Sequence, residues 1–423
     1  MLDINYIRNN TEKVKKGLKK RLFDHADLVD KALIEDEKRK KLIVEVETLR
    51  AARNETAKDR NVEEGKKIKE KLSKLEPNLV DVQRKLQEIL LSIPNLPSDE
   101  VPEGPEENKK LLRKVGEPKK FDFTPLDHLE LGTNLGIIDI ERASKVSGSR
   151  FAYLKGDAVL LEFALVHFAL EKLIKAGFTP VLPPMLIKKE ITDGLGYWHG
   201  GGNENYYFVK DYEKGESGSK ERELDLYLVG TGEHSTVPLH AGEVLSEKDL
   251  PKKYVTFSSC FRREAGTYGK DTRGILRVHQ FDKVEMVEFV TPEEDKKEHE
   301  KMLSISEGLM KDLGLAYQVV TLAAGDVGFP TAKTYDIETW LPGQDKYRET
   351  HSVSTTTDYQ ARRLNIKYQT SEGNKYVHIL NGTAFAIGRT IIAIMENYQN
   401  KDGSITVPEV LRKWMGKDKI TVK

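Results

Sequence analysis

The segment from Tyr254 to Phe289 combines charged and aromatic side chains with the spacing of a β-hairpin. Residues 254–262 are predicted to form one strand and residues 276–289 a second. The polar, glycine-rich stretch 266–274 between them is predicted to be the connecting loop. A long hairpin of this kind can hold charged side chains in fixed positions, which is a requirement of a ligand-binding site.

Side-chain direction within this hairpin identifies candidate contacts with a ligand. Because side chains repeat their direction every two residues along a strand, Arg262 and Glu264 are predicted to share one face. Phe281, Lys283 and Glu285 are predicted to share a face of the second strand. An arginine, two glutamates and an aromatic ring make a poor hydrophobic core, but they suit a charged ligand with a flat ring. A sheet face exposed to solvent is the alternative.

A further candidate lies in the run Asn-Gly-Thr-Ala-Phe-Ala-Ile-Gly-Arg over residues 381–389, which precedes an apolar helix. Asn381 and Thr383 are predicted to share a strand face, and Arg389 is predicted to open the helix. An arginine at a strand-to-helix junction is well placed to bind phosphate. A surface arginine without a ligand is the alternative.

Two shorter patterns add hydroxyl and carboxylate groups. In Thr231-Gly232-Glu233, the hydroxyl and the carboxylate are predicted to point the same way. In the run Tyr-Arg-Glu-Thr-His-Ser that ends at Ser352, Glu349 and Ser352 are three residues apart. They can therefore share a strand face only where a turn or bulge intervenes. Taken alone, each pattern predicts no more than a loop or a strand end.

Two long helices are predicted before residue 100. Residues 27–60 lack Pro and Gly and carry charges of alternating sign, and a polar turn follows at 61–65. The second helix has an unbroken heptad seam, with a kink expected at Pro77. The seam positions are Ile68, Leu72, Leu75, Leu79, Val82, Leu86, Ile89 and Ile93. This pattern predicts an antiparallel coiled-coil hairpin, and two helices of an ordinary bundle are the alternative.

The rest of the chain has a different pattern. Residues 101–120 are rich in Pro, Gly and charge and are predicted to be a linker between an N-terminal domain, 1–100, and a larger domain, 121–423. In the larger domain strands alternate with a few helices, which indicates an α+β fold. A helix is predicted over 157–176, and the prolines that follow at 180, 183 and 184 favour an extended edge segment.

Composition bounds the class of protein. The 423 residues carry 68 Lys and Arg against 68 Asp and Glu, so net charge does not decide for or against a nucleic-acid partner. Residues 1–22 are locally basic, which fits a phosphate-contacting patch and a solvated helix face equally well. The single cysteine, Cys260, excludes an internal disulfide and a multi-cysteine zinc site. With no apolar run of membrane-spanning length and no signal peptide at the start, we expect a soluble, cytoplasmic protein.

Together, and in this order, the patterns resemble the class II aminoacyl-tRNA synthetases, specifically seryl-tRNA synthetase of the bacterial type. Residues 175–184 are similar to motif 1, residues 261–285 to motif 2 and residues 381–389 to motif 3. The resemblance runs from residue 1 to about residue 415. It implies a homodimer with an N-terminal coiled-coil arm and a catalytic domain built on an antiparallel sheet.

The resemblance also implies an activity and its partners. The expected reaction is the ATP- and Mg²⁺-dependent attachment of L-serine to tRNA(Ser) through a seryl-adenylate, with tRNA(Sec) left open as a second substrate. The coiled-coil arm and the motif 2 loop would hold the tRNA. No zinc is expected, because the chain lacks the cysteines for the zinc site of the archaeal form. A non-catalytic paralogue that acts as an interaction module, and a ligase that loads an amino acid onto a carrier protein, are the alternatives.

Family roles carry over onto individual residues of this chain. The residues implied as catalytic are Arg262, Glu264 and Arg389. Those implied in ATP binding are Arg262, Arg263, Glu264, Val278, Phe281, Glu349, Thr350, His351, Ser352 and Arg389. Those implied in serine binding are Thr231, Gly232, Glu233, Arg262, Glu285, Asn381 and Thr383. Glu349 and Ser352 are also implied as the residues that hold magnesium with ATP. The chain departs from the family at His234 and His351, where small or apolar residues are usual.

Overall fold

A computed structural model describes residues 1–59, 61–198, 202–213, 222–265, 271 and 273–422 of the chain. Two units separate within it, Met1–Pro97 and Ser98–Lys423. The first is helical and the second combines helices with strands, so the predicted combination of a helical arm and an α+β domain is confirmed.

The helices of the first unit are α1 (Ile4–Asn9), α2 (Thr11–Lys20), α3 (Asp27–Lys58) and α4 (Val62–Leu91). The long helices α3 and α4 pack against each other, with Val46, Ile68 and Leu72 forming one apolar cluster between them. The side chain of Asn61 caps α4 by accepting a hydrogen bond from the Glu64 amide at 3.2 Å. None of the eight predicted seam positions is exposed, so the heptad seam is confirmed.

One charged residue is buried on the apolar face of α3, and the spacing of the apolar residues did not predict its burial. Asp36 is fully buried and forms ion pairs with Arg8 of α1 and, at 2.7 Å, with Arg39 of α3. Burial alone would raise the pKa of Asp36, but its hydrogen bonds to the two arginines lower that pKa overall. The carboxylate therefore stays ionised and ties α1 to the base of the long hairpin.

The second unit contains nine α-helices and eighteen strands among the described residues. The helices are α5 (His128–Asn134), α6 (Ile140–Ser147), α7 (Asp157–Lys175), α8 (Lys189–Leu195), α9 (Glu233–Thr236), α10 (Asp295–Asp312), α11 (Tyr359–Leu364), α12 (Ile387–Tyr398) and α13 (Arg412–Met415). The strands are β1 (Lys110–Val115), β2 (Ile138–Asp139), β3 (Tyr153–Leu154), β4 (Thr179–Val181), β5 (Leu186–Lys188), β6 (Phe208–Glu213), β7 (Arg222–Leu228), β8 (Val244–Ser246), β9 (Lys252–Phe261), β10 (Gln280–Val290), β11 (Tyr317–Thr321), β12 (Lys333–Leu341), β13 (Lys346–Thr355), β14 (Lys367–Thr370), β15 (Gly373–Tyr376), β16 (His378–Ala386), β17 (Ile405–Thr406) and β18 (Lys419–Ile420).

An eight-stranded sheet organises this unit in the order β1-β11-β12-β13-β16-β10-β9-β4. All neighbouring strands are antiparallel except the edge pair β4 and β9, which is parallel. Side chains from α7, α10 and α12 pack with alternate sheet residues such as Val284 and Phe385 into the main core. The alternate positions on β10 and β16 face the other way, and this opposite face carries the polar residues of the candidate site.

Three predictions about element boundaries need correction. Residues 62–65 of the predicted polar turn belong to α4, which begins at Val62. Strand β1 lies inside the segment predicted to be a linker, where it pairs with β11 at the edge of the large sheet. The second strand of the hairpin begins at Gln280 rather than at residue 276, because Gly274 has a positive φ of 74° and the chain is irregular up to His279. The helix over α7 and the extended edge segment at β4 are confirmed.

Candidate active site

A cavity of about 530 Å³ opens on the polar face of the large sheet. Strands β10, β12, β13 and β16, the segment that follows β9 and the first turn of α12 contribute to its walls. Thirteen of the sixteen residues implied by the family resemblance line it. They are Thr231, Glu233, Arg262, Glu264, Val278, Phe281, Glu285, Glu349, Thr350, Ser352, Asn381, Thr383 and Arg389. Four separate sequence patterns therefore converge on one site.

Arg262 follows the last residue of β9, and two neighbouring groups orient its side chain. Its Nε donates a hydrogen bond to the Gly230 carbonyl oxygen at 2.9 Å, and its guanidinium carbon lies 5.4 Å from the centre of the Phe281 ring. A cation over an aromatic face is attracted by the ring quadrupole. Because Arg262 lines the cavity, its terminal nitrogens can bind an anion there.

Glu264 does not follow the predicted strand alternation. The strand ends before it, and its backbone has a positive φ of 52°, so the expectation that it continues the face of Arg262 is wrong. Its carboxylate still reaches the cavity wall, where it accepts a hydrogen bond from Arg277 at 2.7 Å. Most of the predicted loop 266–274 lies outside the described residues.

Arg389 lies in the first turn of α12, as predicted, and contacts β13. Its Nη1 lies 2.9 Å from Oε1 of Glu349 and donates to the Glu349 carbonyl oxygen at 3.0 Å. Burial alone would raise the pKa of Glu349, but the positive charge of Arg389 lowers that pKa overall. The cavity therefore holds an ionised Glu349 next to an arginine.

A β-bulge brings Glu349 and Ser352 to the same cavity. Along β12 and β13, Ile337 pairs with His351 while the next residue, Glu338, pairs with Glu349, so Thr350 is the extra residue. Without a bulge, residues three apart would point to opposite faces. The spacing predicted that a turn or bulge was needed here, and the register confirms it.

Two buried glutamates and one lysine form the other end of the cavity. Lys283 lies 2.6 Å from Oε2 of Glu285 and donates to the Thr231 hydroxyl at 3.1 Å. Burial, and then the charge of Glu285, raises the pKa of Glu233 to about 7, and burial raises the pKa of Glu285. With two carboxylates against one ammonium group, this end of the cavity favours a ligand that brings a positive charge.

Three buried polar atoms on the cavity wall have neither a hydrogen-bond partner nor an ion-pair partner within the described ranges. They are Oε1 of Glu233, Nδ2 of Asn381 and Oδ1 of Asp336. Buried polar atoms in folded proteins are almost always paired, because an unpaired one costs roughly 1–3 kcal/mol. We infer that a bound ligand supplies these partners.

Comparison with known proteins decides the family. The chain is 44% identical to the serine–tRNA ligase of Thermodesulfovibrio yellowstonii, and the match covers 99% of this chain and 100% of that protein.

The chain belongs to the seryl-tRNA synthetase family.

Family domains and solved structures agree with this membership. The Seryl-tRNA synthetase N-terminal domain matches residues 1–97, and the tRNA synthetase class II core domain (G, H, P, S and T) matches residues 212–398. The seryl-tRNA synthetase of Pyrococcus horikoshii complexed with ATP aligns over 100% of both chains with a TM-score of 0.90 and 38% identity. The cytoplasmic serine–tRNA ligase of Naegleria fowleri in complex with AMP aligns over 100% of this chain and 99% of its own, with a TM-score of 0.88 and 32% identity.

Three residues implied by the seryl-tRNA synthetase resemblance do not line the cavity. Arg263 is exposed and points elsewhere. Gly232 packs against β9. A Cβ added at Gly232 would lie 2.5 Å from the Thr256 side chain, so the close approach of the Gly232 backbone to β9 requires glycine. His351 is fully buried within the sheet, and burial lowers its pKa to about 4, which keeps the ring neutral.

Several residues that line the cavity were not predicted from the sequence. Asp336 of β12 faces Ser352 across the sheet, and burial together with the charge of Glu349 raises its pKa well above the usual value. Tyr197 and Tyr206 line the cavity together with Glu233 and Glu285. Both tyrosine rings pack against His234, at ring-centre distances of 5.1 and 5.4 Å. The two tyrosines come from a segment remote in sequence from every motif, so no spacing pattern could have identified them.

Proposed function

We propose that this chain activates L-serine with ATP and transfers the seryl group to tRNA(Ser). The family supplies the reaction type, since relatives at this identity are serine–tRNA ligases. The observation that carries the proposal is one cavity that brings the Phe281 ring and the arginines Arg262 and Arg389 together with the acidic pair Glu233 and Glu285. Such a site can hold a nucleoside triphosphate next to an amino acid.

In the first step a serine carboxylate oxygen attacks the α-phosphorus of ATP in line, and pyrophosphate leaves. No protein nucleophile is needed, so catalysis consists of alignment and neutralisation of negative charge. We propose that the free edge of Arg262 binds both the serine carboxylate and the α-phosphate. The Phe281 ring would stack on adenine, with Arg389 on its other face and within reach of the γ-phosphate. Glu264, held by Arg277, would contact the adenine edge.

The acidic end of the cavity would recognise the amino acid. Glu233 and Glu285 together offer more negative charge than Lys283 neutralises, so they complement the serine ammonium group. The hydroxyls of Thr231 and Thr383 and the amide of Asn381 can exchange hydrogen bonds with the serine hydroxyl. Tyr197 and Tyr206 would close the pocket around a short side chain.

Magnesium would reach the site with ATP. The described residues contain no group of three or more His, Cys, Asp or Glu arranged to hold a metal ion by themselves. Mg²⁺ in nucleotide sites is usually held by one or two carboxylates together with substrate phosphates, and the cavity oxygens of Glu349 and Ser352 fit that role. The ion would neutralise charge on the phosphates, while Arg389 keeps Glu349 ionised and oriented.

In the second step the terminal ribose hydroxyl of the tRNA attacks the seryl carbonyl. We propose that the coiled-coil hairpin of α3 and α4, together with the motif 2 loop, holds the tRNA during this step. From Asp27 to Leu90 the hairpin carries 16 Lys and Arg against 15 Asp and Glu, so recognition would depend on shape and a few placed basic residues. Because the product serves translation, we propose that the chain works in the cytoplasm.

A homodimer is also proposed. Leu160 and Phe163 of α7 are 45% and 52% exposed, and Leu182, next to the edge strand β4, is 79% exposed. Large apolar side chains that are exposed within one stretch of chain indicate an interaction surface. Leu182 lies within motif 1, the segment at the dimer interface in the family, and Leu160 and Phe163 lie on the helix that leads into it.

Two assays test the proposal against its alternatives. The full chain is incubated with ATP, Mg²⁺, serine and labelled pyrophosphate without tRNA, and then with tRNA(Ser) and labelled serine. Serine-dependent exchange together with tRNA charging is the expected result. Exchange without charging would favour a ligase for a carrier protein, and the absence of both would favour a non-catalytic paralogue.

A further inference from the structure

His351 makes two hydrogen bonds inside the large sheet. Its Nε2 donates to the carbonyl oxygen of Ala384 at 2.9 Å. Its Nδ1 lies 2.8 Å from the Thr350 hydroxyl, whose single hydrogen is shared between that nitrogen and the Ile337 carbonyl oxygen at 3.2 Å. The ring is fully buried and lies edge-on to Phe385, with the ring centres 5.9 Å apart. Both ring nitrogens of this neutral imidazole therefore lie within hydrogen-bond distance of a protein group.

Both partners of His351 are extra residues in strand bulges. Thr350 is the extra residue of β13 opposite β12. Ala384 is the extra residue of β16, because Val284 pairs with Phe385 while Glu285 pairs with Thr383. A bulged residue loses its regular place in the ladder, and here one side chain contacts the bulges of two neighbouring strands.

Backbone pairing between the two strands that contain these bulges is short. Backbone pairing of β13 with β16 is limited to the three pairs from Val353–Gly382 to Thr355–Leu380, within strands that are fully described. Beyond the pair Val353–Gly382 the ladder stops, and the side chain of His351 connects β13 to the Ala384 carbonyl of β16. The imidazole thus bridges the gap between the two strands.

The residues next to these bulges belong to different halves of the cavity. Glu349 and Ser352 flank the bulge of β13 on the nucleotide side, and Glu349 in turn orients Arg389. Thr383 precedes Ala384 on the serine side and pairs with Glu285. The spacing of β13 and β16 at His351 therefore determines how far apart the two substrates are held.

We propose that His351 is a positioning residue that fixes the distance between the nucleotide half and the serine half of the active site. This inference rests on the proposed function, since it concerns the alignment of serine with ATP. Each substrate would still bind its own half if the bridge were lost. In-line attack would suffer, because misplacement by about 1 Å can cost roughly 10²-fold in rate.

The test compares His351→Leu, which removes both hydrogen bonds, with His351→Gln, whose amide can donate to Ala384 from nearly the same position. Serine-dependent pyrophosphate exchange is measured per active site, after counting the sites by the adenylate that they form. For His351→Leu we expect kcat to fall by about 10²-fold while KM for serine and for ATP each change by less than about threefold. His351→Gln should recover most of the lost kcat.

His299→Leu is the matched control. His299 is also buried, and its Nε2 contacts the Val353 carbonyl of β13 at 3.0 Å, outside both bulges and the cavity. It should lower the thermal midpoint of unfolding while leaving kcat per site unchanged. If His351→Leu does not fold, His351→Asn replaces it, because the shorter amide retains the Thr350 contact and cannot reach Ala384.

The outcomes are distinguishable. If the wild type is active and kcat of His351→Leu is within threefold of the wild-type kcat, the inference about His351 is overturned and the proposed function is not affected. An equal loss of kcat in His299→Leu, or a Gln variant no better than Leu or Asn, overturns the inference as well. A wild type without serine-dependent exchange contradicts the proposed function, and the inference then falls with it.

Discussion

The pH dependence of serine binding follows from the buried glutamates of the cavity. Burial raises the pKa of Glu233 to about 7, and the neighbouring Glu285, whose pKa is also raised by burial, adds to the effect. The serine ammonium group is attracted only by the ionised carboxylate. Binding should therefore be strongest above pH 7, where Glu233 is ionised without cost, and should weaken as the pH falls and protons compete with serine.

The magnitude follows from the same pKa. At pH 6 about one tenth of Glu233 is ionised, so KM for serine should rise by roughly tenfold between pH 8 and pH 6, which corresponds to about 1.4 kcal/mol. KM for ATP should stay nearly constant over this range, because Glu349 has a lowered pKa and remains ionised.

The assay is pyrophosphate exchange at saturating ATP, with KM for serine determined at half-unit intervals from pH 6 to pH 8. Glu233→Gln is the control, and its KM for serine should be high and independent of pH. A wild-type KM for serine that does not change over this range would refute the assignment of Glu233 to the ammonium group. A parallel rise in KM for ATP would show that acid affects the whole site rather than the serine end.

Three further predictions concern specificity, the arm and the stability of the N-terminal unit. Alanine should be activated about 10⁴-fold less well than serine in the exchange assay, because the polar groups around the serine hydroxyl would be left unpaired, and a difference below tenfold would contradict the pocket assignment. Shortening the hairpin at residues 61–65 with the heptads in register should leave exchange within a few-fold and raise KM for tRNA, and normal tRNA charging would show that the arm has another partner. Asp36→Asn should lower the stability of α1–α4 by roughly 1–3 kcal/mol in hydrogen exchange, whereas Asp30→Asn, which removes the exposed pair with Lys15, should change it by less than about 0.5 kcal/mol; equal effects would show that the buried carboxylate has no special role.

Features with a regular period were predictable from the sequence. The heptad seam of α4 could be identified because a coiled-coil face repeats every 3.5 residues, and each seam side chain is indeed buried or half-buried. The pairing of Asn381 with Thr383 on one strand face follows from the two-residue period of a strand. The bulge at Thr350 was foreseeable because Glu349 and Ser352 could meet in no other way.

Features that depend on irregular backbone or distant segments were not predictable. Glu264 adopts a positive φ just past the strand, so alternation could not place it. Strand β1 lies at the edge of the sheet and is mostly exposed, so its sequence shows no alternation of apolar residues. It also lies in a Pro-rich stretch, and for both reasons it was predicted to be part of a linker. His351 was expected at the nucleotide, but the bulge at Thr350 turns its ring into the sheet, where only the register of three strands reveals its contacts.

The two arginines of the cavity are oriented by different neighbours. Arg262 is anchored through Gly230 and Phe281, and Arg389 through Glu349, so each is oriented before any ligand binds. Oriented charge of this kind stabilises developing charge without reorganisation at the moment of reaction. Neither side chain packs in the main core, so each can be replaced without disrupting the fold.

The most direct test of the central claim is serine-dependent pyrophosphate exchange by Arg262→Ala and Arg389→Ala beside the wild type. The loss of one preorganised charge contact should reduce kcat/KM by at least about 10²-fold in each variant, with the thermal midpoint of unfolding unchanged. Exchange close to that of the wild type in either folded variant would contradict the assignment of this cavity as the site where serine is activated.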